Sequence, residues 1–168
     1  PRLVIPFFDE DNRLIGAQGR ALRESKVRYV TVKVHENSRK VFGLERWTNK
    51  EPTYLVEGPI DSLFLPNSLA MAGADMSDLS FLNKINTTLI FDNEPRNDHI
   101  SKRMVDALEK GWRIVVWQDQ GNKWDSRAPK DINDMVISGK TTDEILKIIN
   151  KNTYSGQRGK WEVTYWKV

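Results

Sequence analysis

Five carboxylate side chains in this sequence follow runs of β-branched and apolar residues, at points where strands would end or turns begin. They are Glu57, Asp61, Asp92, Glu94 and Asp131. Because ligands of open α/β sheets bind beyond the carboxyl ends of the strands, these side chains are expected to face one crevice. Clustered carboxylates repel one another unless a cation neutralises them, and oxygen ligands of this kind suit Mg²⁺ or Mn²⁺. The sequence therefore predicts a divalent-metal site, and such sites commonly handle phosphate groups.

Each of these residues also has a simpler structural interpretation. Glu57 could belong to an ordinary strand-to-helix turn, and Asp61 could cap the helix that follows. Residues 92–94 could form a surface turn, and Asp131 could lie at the entry to a helical turn. Their joint placement at predicted strand ends favours the functional interpretation.

Composition excludes several other kinds of chemistry. The 168 residues include no cysteine, which rules out disulfides, thiolate zinc sites and cysteine nucleophiles. Two widely separated histidines, His35 and His99, leave little material for a histidine-based metal site or a Ser-His-Asp triad. No apolar stretch approaches the ~20 residues that span a bilayer, and no secretory signal is evident, so a cytoplasmic location is expected. The initial Pro1, within an apolar run, suggests a fragment of a longer protein.

The net charge of +3 conceals an uneven distribution along the chain. Residues 1–50 hold 11 Lys and Arg against 6 Asp and Glu, residues 51–149 hold 11 against 16, and residues 150–168 hold 4 against 1. Basic ends around an acidic middle suit an enzyme that acts on nucleic acid, although charged residues can also simply solvate a surface. Arginine and lysine side chains of the basic first fifty residues could hold phosphate groups. Trp124, in a polar loop, is the tryptophan best placed for stacking on a base.

The hydrophobic pattern predicts a small β-rich lobe followed by alternating strands and helices. Residues 3–8, 14–17 and 28–34 are predicted strands within a lobe that covers residues 1–50. Residues 51–150 are predicted to form a mostly parallel sheet flanked by helices, an α/β arrangement that makes the chain α+β overall. Residues 154–168 alternate in period two, which indicates an added edge strand or a link to a missing segment.

Several motifs in this chain resemble those of known nucleic-acid enzymes. The runs Val56-Glu57-Gly58-Pro59-Ile60-Asp61 and Ile90-Phe91-Asp92-Asn93-Glu94 resemble the Toprim domain of primases, topoisomerases and some nucleases. Further segments resemble the primase branch of the DnaG type, and their sequences are similar to those of phage-type primases. These segments are residues 5–9, 14–20, 28–29, 41–44 and 129–134.

The resemblance implies metal-dependent synthesis of short RNA primers from ribonucleoside triphosphates on a single-stranded DNA template. It implies catalytic roles for Glu57, Asp92 and Glu94, and metal binding by these three together with Asp61 and Asp131. Glu94 departs from the family pattern, where a second Asp is usual. Arg20 and Arg28 fall where the family has basic residues in its template and nucleotide groove, while Arg39 and Lys40 lie near a third basic position. A replicative helicase is the expected partner, through regions outside this chain.

Two other functions are compatible with the same motifs. A Toprim nuclease would use the same carboxylates to hydrolyse DNA, although the primase-like N-terminal lobe argues against it. A non-catalytic module that binds nucleic acid or a partner is the other alternative, and the change to Glu94 gives it slight support.

Overall fold

The first fifty residues contain a three-stranded antiparallel sheet. The computed structural model describes residues 1–73, 76–118 and 128–167. Strands β1 (Arg2–Phe8), β2 (Leu14–Ala21) and β3 (Tyr29–Lys33) lie in the order β1-β2-β3. The turn between β1 and β2 is stabilised by the Asp9 carboxylate, which accepts hydrogen bonds from the backbone N–H groups of Asp11 and Arg13. The predicted hairpin and third strand are confirmed.

The second sheet has five strands in the order β5-β4-β6-β7-β8. Its strands are β4 (Thr53–Val56), β5 (Ser68–Ala70), β6 (Thr87–Ile90), β7 (Arg113–Val115) and β8 (Thr153–Tyr154). The first four are parallel, and β8 pairs antiparallel with β7 at the edge. All residues of β6 are buried, as expected for a central strand without polar alternation.

Five α-helices connect or cover the strands of this sheet within the described residues. They are α1 (Pro59–Ser62), α2 (Asp98–Glu109), α3 (Ile132–Ile137), α4 (Thr142–Lys151) and α5 (Gly156–Trp166). Helix α4 begins with the predicted capping box, in which Thr141 and Glu144 satisfy each other's backbone N–H groups. Within the described ranges, no helix is long and apolar enough to cross a membrane. The predicted fold class, a mostly parallel α/β sheet preceded by a β-rich lobe, is confirmed.

The C-terminal segment corrects the sequence-based prediction. The sequence pattern of residues 154–168 predicts an added edge strand or a link to a missing segment. Only Thr153 and Tyr154 pair with β7, and Gly156–Trp166 is α-helical, so the edge-strand alternative is wrong for this segment. Its buried residues, Gly159, Val163 and Trp166, recur at helical spacing. The period-two alternation of these residues was misleading. Packing of the segment against α2, and not its local sequence pattern, determines that it is helical.

The two sheets contact each other directly. The rings of Phe7 in β1 and Phe42 pack edge to face with centroids 5.7 Å apart, and the Thr31 hydroxyl of β3 donates to the Ala72 carbonyl oxygen beyond β5. The division into domains at residues 1–50, 51–150 and 151–168 stays a prediction. Trp117 lies in the core as expected, and its indole N–H donates to the Phe91 carbonyl oxygen over 2.8 Å. Trp124 lies outside the described residues.

Candidate active site

Two carboxylates are brought to the same sheet edge by the register of β4 and β6. Val56 at the end of β4 pairs with Ile90 at the end of β6, and these neighbouring strands are parallel. Glu57 follows Val56 directly, and Asp92 comes two residues after Ile90. The carboxyl ends of the two central strands therefore present both carboxylates to one crevice, as predicted.

The Glu57 carboxylate is paired with an arginine from α2. Its Oε1 accepts a hydrogen bond from Nη1 of Arg103, whose guanidinium lies 5.2 Å from the centroid of the Phe91 ring. Burial raises the pKa of Glu57 despite this cation, and the nearby Asp92 adds to the increase. Glu57 is thus a desolvated carboxylate at the end of a central strand.

A lysine bridges the two acidic residues after β6. The Lys130 ammonium lies 2.6 Å from Oε1 of Glu94 and 3.5 Å from Oδ2 of Asp92. Burial raises the pKa of Asp92, while the hydrogen bond from Lys130 lowers the pKa of Glu94. Glu94 also accepts a hydrogen bond of 2.6 Å from the side chain of Asn97. The two carboxylates of this turn therefore differ in how readily they ionise.

Asp61 and Asp131 lie on either side of α3's first turn. Oδ1 of Asp61 accepts a hydrogen bond of 2.9 Å from the Asn133 backbone N–H. Burial raises the pKa of Asp61 to about 7, and the charges of Asp131 and Asp92 contribute to this. Asp131 is the N-cap of α3, since its Oδ1 accepts from the Asp134 N–H over 2.8 Å. The simpler alternative, in which Asp61 caps its own helix, is not seen, because Gly58 occupies the N-cap of α1.

A cavity of about 630 Å³ separates these carboxylates from the three-stranded sheet. Glu57, Asp61, Asp92 and Asp131 line its acidic wall. On the opposite wall, Arg20 and Arg28 place their guanidinium groups 5.9 and 5.6 Å from the centroid of the Tyr29 ring, which lies between them. The cavity therefore has a wall rich in carboxylates, which also holds Arg103 and Lys130, and a basic wall that attracts anions.

Two predicted basic residues lie elsewhere. Neither Arg39 nor Lys40 is among the residues that line the cavity. The Arg39 guanidinium lies 2.7 Å from Glu10 and 4.4 Å from the centroid of the Phe81 ring. A nucleic-acid role for these two residues stays a prediction.

Three of the five carboxylates contact side-chain cations: Glu57 contacts Arg103, and Asp92 and Glu94 contact Lys130. Within residues 1–73, 76–118 and 128–167, no group of three or more His, Cys, Asp or Glu side chains is arranged to hold a metal ion. The donor set nevertheless fits Mg²⁺ or Mn²⁺, since carboxylate oxygens are hard ligands. Burial raises the pKa values of Glu57, Asp61 and Asp92, and a bound cation would favour their charged forms.

Sequence reasoning missed the residues that hold the carboxylates in place. Arg103 lies beside the apolar stripe of α2. A basic residue in that position was the feature of the sequence that could have predicted its contact with a carboxylate. Asn93, between the two acidic residues of the turn, donates through Nδ2 to the Pro129 carbonyl oxygen. Oδ1 of Asn93 accepts from the buried Trp166 indole over 3.0 Å. No local pattern indicated this contact with the C-terminal helix.

Comparison with known proteins finds a DNA primase among the sequence relatives of this chain. The chain is 34% identical over 167 residues to the DNA primase of Enterobacteria phage T4, a match that covers 98% of this chain and 47% of the phage protein. This chain is therefore similar in sequence to a phage DNA primase. It spans about half the length of the curated relative it matches. No protein-family model matches the chain.

Solved structures of primases share the fold of this chain. The zinc-binding and RNA polymerase domains of Aquifex aeolicus primase superpose with a TM-score of 0.65 at 26% identity, covering 91% of this chain and 41% of that one. The RNA polymerase domain of Mycobacterium tuberculosis DnaG gives a TM-score of 0.67 at 17% identity, covering 90% and 55%. A DnaG catalytic domain bound to single-stranded DNA gives 0.61 at 18% identity, covering 89% and 51%.

Proposed function

We propose that this chain is the catalytic core of a primase, which synthesises short RNA primers on single-stranded DNA from ribonucleoside triphosphates. The observation that carries the proposal is the cavity between the carboxylates at the ends of β4 and β6 and the arginines of the β1–β3 sheet. An acidic wall for metal faces a basic wall for phosphate, which is the arrangement that nucleotidyl transfer requires. The homology to a phage DNA primase supports the same activity.

Mg²⁺ or Mn²⁺ is the proposed cofactor, and Glu57 and Asp92 are its proposed principal ligands. Asp61, Glu94 and Asp131 supply further oxygen atoms, and the hydrogen bond from Lys130 lowers the pKa of Glu94. When bound, the metal offsets negative charge on the attacking and leaving oxygens of the transferred phosphate. Binding it in place of the ion pairs requires Arg103 and Lys130 to move away from the carboxylates or to contact phosphate instead.

Arg20 and Arg28 are proposed to bind phosphates of the template or of the incoming nucleotide. A guanidinium presents several N–H donors in a plane and matches two phosphate oxygens at once. Both arginines lie beside Tyr29, on the face of the β1–β3 sheet that forms a wall of the cavity. We also propose that the protein contacts a replicative helicase through regions outside this chain. We propose that it acts in the cytoplasm.

A primer-synthesis assay tests this function. The protein is incubated with single-stranded DNA, labelled ribonucleoside triphosphates and Mg²⁺ or Mn²⁺, and short RNA products are expected. Glu57→Gln and Asp92→Asn should each reduce synthesis by about 100-fold or more, because metal-based charge stabilisation is worth several kcal/mol. Asp143→Asn, which changes an exposed carboxylate in the first turn of α4, is the matched control and should retain activity.

Each other outcome contradicts part of the proposal. Shortened DNA without RNA products would identify a nuclease that uses the same carboxylates. Binding of DNA with neither product would identify a non-catalytic module. Full primer synthesis by both Glu57→Gln and Asp92→Asn would show that the active site lies elsewhere.

A further inference from the structure

The guanidinium of Arg103, in α2, uses few of its hydrogen-bond donors within the protein. Its Nη1 donates to Oε1 of Glu57, and its Nη2 lies 3.8 Å from Sδ of Met71. A guanidinium carries five N–H donors in one plane, and a thioether sulfur is only a weak acceptor. Among the described residues, Glu57 is thus the one charged acceptor that Arg103 contacts.

Both members of this ion pair are accessible from the cavity. The side chains of Arg103 and Glu57 line it and are 31% and 22% exposed. The Arg103 guanidinium lies 5.2 Å from the centroid of the Phe91 ring, and Phe91 is 1% exposed. Because α2 fixes the backbone of Arg103, rotation about side-chain bonds is enough to give the guanidinium a different partner in the cavity.

A divalent cation at the carboxylates would weaken the attraction between Arg103 and Glu57. The cation offsets the negative charge of the Glu57 carboxylate and repels the guanidinium. A partly buried guanidinium that loses its anion is destabilising unless another anion replaces it. The phosphate groups of a nucleotide are anions, and two of their oxygens match the planar donors of an arginine. Exchange of Glu57 for phosphate therefore keeps Arg103 paired while the carboxylate becomes available to metal.

We propose that Arg103 exchanges Glu57 for a phosphate group of the bound nucleoside triphosphate when metal occupies the carboxylates. Arg103 is then a third phosphate-binding arginine, and it lies on the wall opposite Arg20 and Arg28. Arginines on both walls can hold a polyphosphate that spans the cavity. In the absence of nucleotide, Arg103 competes with metal for Glu57. This inference rests on the proposed function, because it takes the cavity to be a nucleotide site and Glu57 to be a metal ligand.

Binding of inorganic triphosphate by the whole chain tests the proposal without requiring catalysis. Its affinity in the presence of Mg²⁺ is measured by calorimetry for the unsubstituted protein, Arg103→Gln and the control Lys102→Gln. The control removes an exposed positive charge from the adjacent position of α2. Arg103→Gln should bind triphosphate about 10-fold more weakly, as expected for loss of a charge-assisted contact. Lys102→Gln should stay within about twofold of the unsubstituted protein, because an exposed charge contributes little.

Binding of Mn²⁺ alone provides a second readout that a structural role of Arg103 would not produce. Electron paramagnetic resonance measures this affinity in the absence of nucleotide, and Arg103→Gln should bind Mn²⁺ about fivefold or more tightly, because a competing cation is gone. Distortion of the site would instead weaken the binding of both ligands. If Arg103→Gln does not fold, Arg103→Met, which keeps an apolar chain beside Phe91, replaces it. A folded variant that binds triphosphate within about twofold of the unsubstituted protein, or that loses affinity for both ligands, overturns the proposal.

A double-mutant cycle without metal tests the exchange of partners directly. Glu57→Gln should raise the affinity for inorganic triphosphate about 10-fold, because Arg103 no longer has a carboxylate to pair with. In the Arg103→Gln background, the same substitution should raise the affinity by only about twofold, through the loss of one negative charge from the cavity. Equal effects of Glu57→Gln in the two backgrounds would show that Arg103 does not pass from Glu57 to phosphate.

The binding measurements and the primer-synthesis assay fail independently. Triphosphate binding that depends on Arg103 in a protein that makes no primers contradicts only the proposed function. Primer synthesis by a protein whose triphosphate affinity does not depend on Arg103 contradicts only this inference. Absence of both triphosphate binding and primers contradicts both.

Discussion

At the scale of single residues, the carboxylates of the site are chemically unequal although the sequence presents them as one kind of group. Burial raises the pKa values of Glu57, Asp61 and Asp92, whereas the hydrogen bond from Lys130 lowers that of Glu94. Three of these four groups therefore resist ionisation in the folded protein. A bound divalent cation would favour the ionised forms of these three groups. The raised pKa values are therefore consistent with the proposed metal site.

Asp61 provides a test of this electrostatic description through pH-dependent stability. Its pKa of about 7 in the folded protein is above the ordinary value of 3.8, so the folded state retains a proton that the unfolded state has lost. The free energy of unfolding therefore falls as pH rises from about 4 to about 7. The amide introduced by Asp61→Asn has no such proton to lose, and it stays uncharged throughout this pH range.

We expect Asp61→Asn and the unsubstituted protein to have similar melting temperatures at pH 4 without metal. At pH 8 the variant should melt about 4 °C or more above the unsubstituted protein. The introduced amide can still accept the Asn133 N–H through its carbonyl oxygen, so the hydrogen bond is kept. Asp143→Asn should follow the unsubstituted protein at both pH values, and a difference for Asp61→Asn that is constant from pH 4 to pH 8 would contradict the assignment.

At the scale of elements, the C-terminal helix α5 holds the acidic turn in place. Trp166 is 1% exposed and donates to Asn93, while the backbone N–H of Asn93 donates to the Lys130 carbonyl oxygen over 2.6 Å. The turn that carries Asp92 and Glu94 is thus held from both sides. Gly159 permits the close packing of α5, because a Cβ there would lie 2.5 Å from a methyl carbon of Leu108 in α2.

Trp166→Phe is expected to lower the free energy of unfolding by about 1–3 kcal/mol, because it removes the indole donor and leaves the Asn93 acceptor unpaired. Urea denaturation measures this change. Trp161→Phe is the matched control, since Trp161 lies on the same helix but is 62% exposed, and it should change stability by less than about 0.5 kcal/mol. Equal effects of the two substitutions would show that the contact with Asn93 does not stabilise the turn.

At the scale of the whole molecule, the cavity exists because the two sheets face each other. The β1–β3 sheet supplies Arg20 and Arg28, and the carboxyl edge of the second sheet supplies the acids, so the opposite charges lie across one space. This arrangement explains the uneven distribution of charged residues along the chain. Basic residues near the start and acidic residues in the middle become opposite walls of one site.

Salt dependence of single-stranded DNA binding tests this arrangement. Each phosphate contact contributes about 0.7 to the slope of log affinity against log salt concentration. Arg20→Gln and Arg28→Gln should each weaken binding and reduce the slope by about that amount. Arg39→Gln tests the predicted nucleic-acid role of Arg39, which pairs with Glu10 and stacks on Phe81 away from the cavity. An unchanged slope would limit the template contacts to the cavity arginines. A reduced slope for Arg39→Gln alone would show that the template binds along the surface around Arg39 and not in the cavity.

The sequence by itself determined the order of elements and the positions of the carboxylates. Buried β-branched runs such as Thr53–Val56 can be recognised as strands from the local sequence. An acidic residue directly after such a run must lie at the carboxyl end of that strand. Tertiary structure decided which cation meets which acid and how the C-terminus folds. Arg103 and Glu57 are 46 residues apart, and Trp166 and Asn93 are 73 apart. Contacts over such separations depend on the packing of helices against the sheet, which no local periodicity encodes.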